Sequence, residues 1–224
     1  MTMKTARIFT VIALVACAAI PLEARAWDFG IKLGLNQTSL TNTDGSDGLS
    51  ALTAGVYFEN QFTNYQALYV EFAYSNRKSR SFESVLTGFW FDGYDLTGFP
   101  APDRIVRTET NYLDFAALWK LFVQDEHRNG PYILVGPVFS VLISGQRALE
   151  LGYTADLKAD VDYQKAVISY AFGGGIDFDI RGLRSSLDIR ATRALTAFGD
   201  SNGIYGHKNN LFSATVGICL AHSR

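Results

Sequence analysis

Residues 111–144 read NYLDFAALWKLFVQDEHRNGPYILVGPVFSVLIS, two alternating runs separated by a polar break. In the first, Leu113, Phe115, Ala117, Trp119 and Leu121 share one face of an extended strand, because strand side chains alternate sides. Tyr112, Asp114, Ala116, Leu118 and Lys120 share the other. After Gln124–Pro131, the second run sets Ile133, Val135, Pro137, Phe139, Val141 and Ile143 against Tyr132, Leu134, Gly136, Val138, Ser140 and Leu142. Both runs exceed the usual globular strand of about 5–6 residues. They approach the roughly 9–11 residues that cross a bilayer at a tilt. The stretch reads as a membrane-spanning β-hairpin.

The same pattern recurs outward in both directions. Trp27–Asn36 alternates strictly, with Trp27, Phe29, Ile31, Leu33 and Leu35 opposite Asp28, Gly30, Lys32, Gly34 and Asn36. Ala51–Asn60 and a run through Leu68, Val70, Phe72 and Tyr74 supply two further strands, separated by a break at Gln61–Asn64. Val167–Ile180, the run around Leu187, Ile189 and Ala191, and Asn210–His222 supply the last three, with a tight turn at Arg181-Gly182-Leu183. The expectation is an all-β, eight-stranded antiparallel up-and-down transmembrane β-barrel, an even count of the kind outer-membrane barrels use. Long connections (Gln37–Ser50, Arg77–Val106, Gly145–Lys165, Thr196–Asn209) alternate with short ones (Gln61–Asn64, Gln124–Gly130, Arg181–Leu183). Within Arg77–Val106, Asp92-Gly93 predicts a small hairpin turn. The flanking Phe89, Trp90, Phe91 and Tyr94 read as packing on a neighbouring loop or at headgroup level rather than as a free sticky patch.

A soluble barrel would show the same period with its faces exchanged. Three features place the apolar face against lipid. Short turns alternate with long loops, as periplasmic turns alternate with outer loops, which puts both termini in the periplasm. The opposite face mixes Gly, Ser and Ala with charges, as a narrow lumen requires. Aromatics recur near strand ends, namely Trp27, Tyr57, Phe58, Tyr74, Tyr112, Trp119, Phe122, Tyr132, Tyr170 and Phe178, and read as interfacial girdles.

Met1–Ala26 has basic Lys4 and Arg7, an apolar run from Ile8 to Leu22 and a small-residue Ala24-Arg25-Ala26 site, the anatomy of a secretory leader. Leu14-Val15-Ala16-Cys17 offers the alternative of a lipobox; the apolar run passing beyond Cys17 favours cleavage after Ala26. Residues 1–26 are thus expected to be a signal peptide and 27–224 one barrel domain. Cleavage takes the formal charge from −2 to −4, which argues against nucleic acid as a partner. It also leaves Cys219 alone, so no disulfide within the chain is expected.

Gly30–Asn36, Asn111–Phe115, Gly130–Pro137, Phe172–Phe178 and Val216–Ile218 resemble segments of the PorT-like outer-membrane β-barrel proteins. The likeness extends over the expected mature chain. It implies a small outer-membrane barrel, in a family whose namesake takes part in protein secretion. One departure is the ending Leu220-Ala-His-Ser-Arg224, where such barrels commonly carry a terminal aromatic residue.

Inside the barrel the alternation places Lys32, Glu59, Glu71, Asp114, Lys120, Asp177, Asp179, Asp188 and Arg190. An ion or proton path is one reading; a mutually paired plug, with Lys32 facing Glu59 or Glu71, is the one favoured by lumen width. No catalytic, cofactor-binding or metal residue is assigned, and no cofactor is expected. His127, His207 and His222 fall in a turn, a loop and the tail without a serine motif beside them. The oxygen-rich Asn42–Gly48 lacks the spacing and closing glutamate of an EF-hand loop. Gly173-Gly-Gly175 lies mid-strand, where glycine relieves crowding, and is no phosphate loop. Expected partners are outer-membrane lipid and lipopolysaccharide and, through the outer loops, other envelope proteins. A structural or surface-interaction role leads; an accessory role in protein secretion and a lipid-modifying enzyme are the alternatives.

Overall fold

The computed structural model describes residues 27–41, 47–82, 90–91, 94–95, 104–123, 129–151, 157–160, 166–195 and 208–221. Met1–Ala26, with the expected leader and Cys17, lies outside them. Eight long strands follow in order: β1 (Asp28–Thr41), β2 (Asp47–Thr63), β3 (Gln66–Phe82), β4 (Arg104–Phe122), β5 (Gly130–Leu151), β6 (Ala166–Ile180), β7 (Leu183–Ala194) and β8 (Lys208–Ala221). Each pairs antiparallel with the next, and β1 closes on β8 from Phe29↔Ala221 to Thr41↔Lys208. The wall therefore has no open edge in the membrane, as hydrocarbon demands of every backbone N–H and C=O. A short strand, Leu157–Asp160, pairs with β5 above the barrel wall. Trp90–Phe91 pairs with Tyr94–Asp95, the hairpin expected around Asp92-Gly93.

The strands run 12 to 22 residues, beyond what a bilayer requires. Several expected loop boundaries are corrected by this. Gln37 pairs with Ser50 inside the β1–β2 ladder, Arg77 lies within β3, and Gly145–Leu151 continues β5. The apolar alternation stops at these points, but backbone hydrogen bonding does not need apolar side chains. The β2–β3 connection is likewise Asn64-Tyr65, not Gln61–Asn64. The β6–β7 turn is as tight as expected: Arg181 (φ 53°) and Gly182 (φ 84°) are both left-handed, the requirement of a type I′ hairpin turn.

The faces are inverted relative to a water-soluble protein. Leu33 is 62 % exposed on the outer wall, whereas its neighbour Lys32 is 4 % exposed and points inward. Trp27, Tyr74, Trp119 and Tyr170 stand on the outside, and Phe58 and Phe178 are half-buried. Tyr57, Tyr112, Phe122 and Tyr132, expected in the girdles, are instead buried in the lumen. Strand parity decides this, and small residues opposite make the room. A Cβ on Gly30 would strike the Tyr57 ring, and one on Gly175 would strike the Tyr132 hydroxyl and the Asp188 carboxylate. Gly175→Val should therefore destabilise the barrel by about 1–3 kcal/mol, the cost of overpacking, read from urea unfolding in lipid vesicles. Ala214→Val, on the lipid side, should stay within about 0.5 kcal/mol of the parent.

Candidate functional site

The lumen is filled by three tiers of ion pairs, each built from inward residues on several strands. At the short-turn end, Lys120 Nζ donates to Glu59 Oε2 (2.9 Å) and Asp177 Oδ2 (2.7 Å). Arg184 donates to Asp28 Oδ2 (2.9 Å), Glu59 Oε1 (2.7 Å) and Asp177 Oδ2 (2.6 Å). The Lys120 ammonium also lies 4.0 Å from the Tyr132 ring centroid, a contact that strengthens when desolvated.

At mid-height, Lys32 Nζ reaches Glu71 Oε2 at 3.0 Å and Asp188 Oδ2 at 2.5 Å. Arg190 donates to Glu71 Oε2 from both terminal nitrogens (3.1 and 3.2 Å). The Tyr132 hydroxyl donates to Asp188 Oδ1. Nearer the long connections, Arg77 grips Asp114 (2.6 and 2.9 Å) and donates to Ser140 Oγ (3.0 Å). Its guanidinium lies 4.3 Å from the Tyr112 ring centroid. Asn36 and Ser75 extend this tier by a 2.9 Å hydrogen bond.

Lys32 thus meets Glu71, one of its two expected partners, while Glu59 belongs to Lys120 and Arg184. Asp179 does not join the plug: it is exposed and accepts a 2.8 Å hydrogen bond from Asn129. Three participants were missing from the sequence-derived set, Asp28, Arg77 and Arg184. The signal for them was present as parity. Arg77 continues the inward series Glu71, Ala73, Ser75, and Arg184 begins the series that holds Asp188 and Arg190.

Desolvating an ion costs several kcal/mol, recovered only when partners and hydrogen bonds surround it. Each cation here has at least one carboxylate within 3.2 Å. Between the tiers Tyr57, Tyr69, Leu118 and Leu134 are buried, and Tyr57 stacks on Tyr69 with centroids 5.1 Å apart.

His127, His207, His222 and Asn42–Ser46 lie outside the described residues. Gly173–Gly175 is paired on both sides, with β5 and with β7, and forms no loop. On the outer wall, just above the apolar band, Tyr74 and Asn76 donate to Asn111 Oδ1 (both 2.6 Å), and Asn111 donates to Ser144 (2.9 Å). This amide ladder marks where the wall leaves hydrocarbon.

Lys120→Met would strand Glu59 and Asp177 beside a single remaining cation. It should cost about 3–5 kcal/mol, the penalty for breaking a buried pair, and Lys120→Met/Asp177→Asn should recover part of it. Lys32→Glu should abolish the heat-modifiable folded band on electrophoresis; normal yield and heat resistance would refute the pairing.

The family model described as outer membrane protein beta-barrel domain matches residues 17–199. Among solved structures the chain is similar to Ail, the attachment invasion locus protein of Yersinia pestis, at 13% identity and TM-score 0.41, covering 87% of this chain and 98% of that one. It is similar to Neisserial surface protein A at 9% identity and TM-score 0.42 (87% and 97% covered). It is also similar to OprG from Pseudomonas aeruginosa at 11% identity and TM-score 0.42 (87% and 94% covered). No curated protein matches it.

Proposed function

Since the chain belongs to the outer membrane protein beta-barrel domain family, and so to the bacterial outer membrane, we propose that it serves as a structural or surface-interaction protein of the envelope. The observation that carries this reading is the network of paired charges inside the lumen. Tiers of paired charges across so narrow a lumen support a plug rather than a channel, and this reading assigns the protein's work to the outer wall and the long connections. In this reading Met1–Ala26 is removed, both termini face the periplasm, and the 42–46, 83–103, 152–165 and 196–207 connections face outward, the usual disposition of long and short connections. Within the family, segments 30–36, 111–115 and 130–137 support a PorT-like assignment. An accessory role in secretion would use the same outer surface and differ only in the partner captured. A lipid-modifying role would need catalytic groups at the rim, and the described part of the rim displays an amide ladder, Tyr74, Asn76, Asn111 and Ser144, whose members bond one another.

Three experiments test this proposed function. Purified protein in planar bilayers should carry no steady single-channel current, and porin-like conductance would overturn it. A version with the 83–103 connection shortened should keep its heat-modifiable fold yet lose crosslinked envelope partners. Retention of every partner, or altered mobility of radiolabelled lipid A on expression of the parent, would overturn it as well.

A further inference from the structure

On the outer wall, where the apolar band of β6, β7 and β8 gives way to the long connections, lies a groove of about 390 Å³. It exists because Ala191 sits between two rings. Phe172 on β6 and Phe212 on β8 are its direct cross-strand neighbours, so a methyl group floors a slot with aromatic walls. The volume falls within the range of small-molecule sites, roughly 300–1,000 Å³.

One residue pair higher, Arg193 stands opposite Asn210, and both line the same groove. Arg193 is exposed and has no ion pair or hydrogen bond among the described residues. The groove thus joins a hydrocarbon-facing slot and an exposed guanidinium within two residue pairs. A smaller groove of about 220 Å³, beside Phe72, Leu113 and Phe139, lacks this combination. Above it Asn76 and Asn111 bond each other, and Lys78 is paired with Glu109 at 3.2 Å.

We propose that the Ala191 groove binds lipopolysaccharide. One acyl chain lies over Ala191 between Phe172 and Phe212. A lipid A phosphate pairs with Arg193, whose planar fork suits phosphate oxygens. The assignment to lipopolysaccharide rests on the orientation given above, which sets this end of the barrel in the outer leaflet.

The test is native mass spectrometry of the full chain folded in detergent with lipid A, phosphate-free lipid A or phosphatidylglycerol. The parent should retain lipid A. Arg193→Gln and removal of the lipid phosphates should each lower retention about ten-fold, as loss of a charged hydrogen bond predicts, and Ala191→Trp should lower it by filling the slot. Both substitutions face lipid, so the heat-modifiable band should persist; Arg193→Lys serves as a second variant, with intermediate retention. Equal retention by parent, Arg193→Gln and Ala191→Trp would overturn the site, and phosphatidylglycerol held as tightly as lipid A would overturn the choice of lipid. A protease site placed in the 196–207 connection separates the two premises. If it is cut in intact cells while retention is unchanged by the substitutions, the groove alone is wrong. If it is cut only after the outer membrane is permeabilised, the orientation is wrong, and lipopolysaccharide with it.

Discussion

Closure of β1 onto β8 is the constraint from which the rest of this structure follows. In hydrocarbon an unpaired peptide group costs several kcal/mol, so the chain must return its last strand to its first. Eight strands closing on themselves enclose a lumen just wide enough for side chains. Bulky groups can then face lipid without limit, whereas the inner face must alternate large and small. Tyr57 is accommodated because Gly30 has no side chain, and Tyr132 reaches Asp188 because Gly175 has none.

The charged interior is the second consequence. A narrow lumen holds no bulk water to solvate ions, so a carboxylate survives there only with a cation against it. The tiers around Lys120, Lys32 and Arg77 meet that condition by joining strands distant in sequence: Arg184 reaches Glu59 across 125 residues and Arg190 reaches Glu71 across 119. Such pairs tie the wall together across the barrel as well as along it. They also cross-link the interior of the barrel between strands far apart in sequence.

The ends of the strands show where alternation is an incomplete guide. Leu35, Tyr74 and Leu113 are the last apolar outward residues before Gln37, Asn76 and Asn111, and the apolar rhythm halts there. The ladder nevertheless runs on to Thr41, Phe82 and back to Arg104, because hydrogen bonding between neighbours continues in water as well as in lipid. Ending β3 at the last apolar residue concealed Arg77, although its parity placed it inside. The same parity should have kept Tyr112 and Tyr132 out of the girdles, since an aromatic near a strand end lies at the interface only if its face looks outward.

Period-two alternation by itself determined the strand count, the antiparallel order, the inside-out distribution of polarity and most of the interior charges, because a strand's two faces are set by covalent geometry alone. Which cation holds which carboxylate was beyond it. Lys32 lies nearer in sequence to Glu59 than to Glu71, yet the stagger of the closed sheet brings it to Glu71 and Asp188 and gives Glu59 to Lys120 and Arg184. The groove over Ala191 is likewise a product of strand register. Phe172, Ala191 and Phe212 belong to three strands, and register across the wall, which no local pattern encodes, sets them in one row.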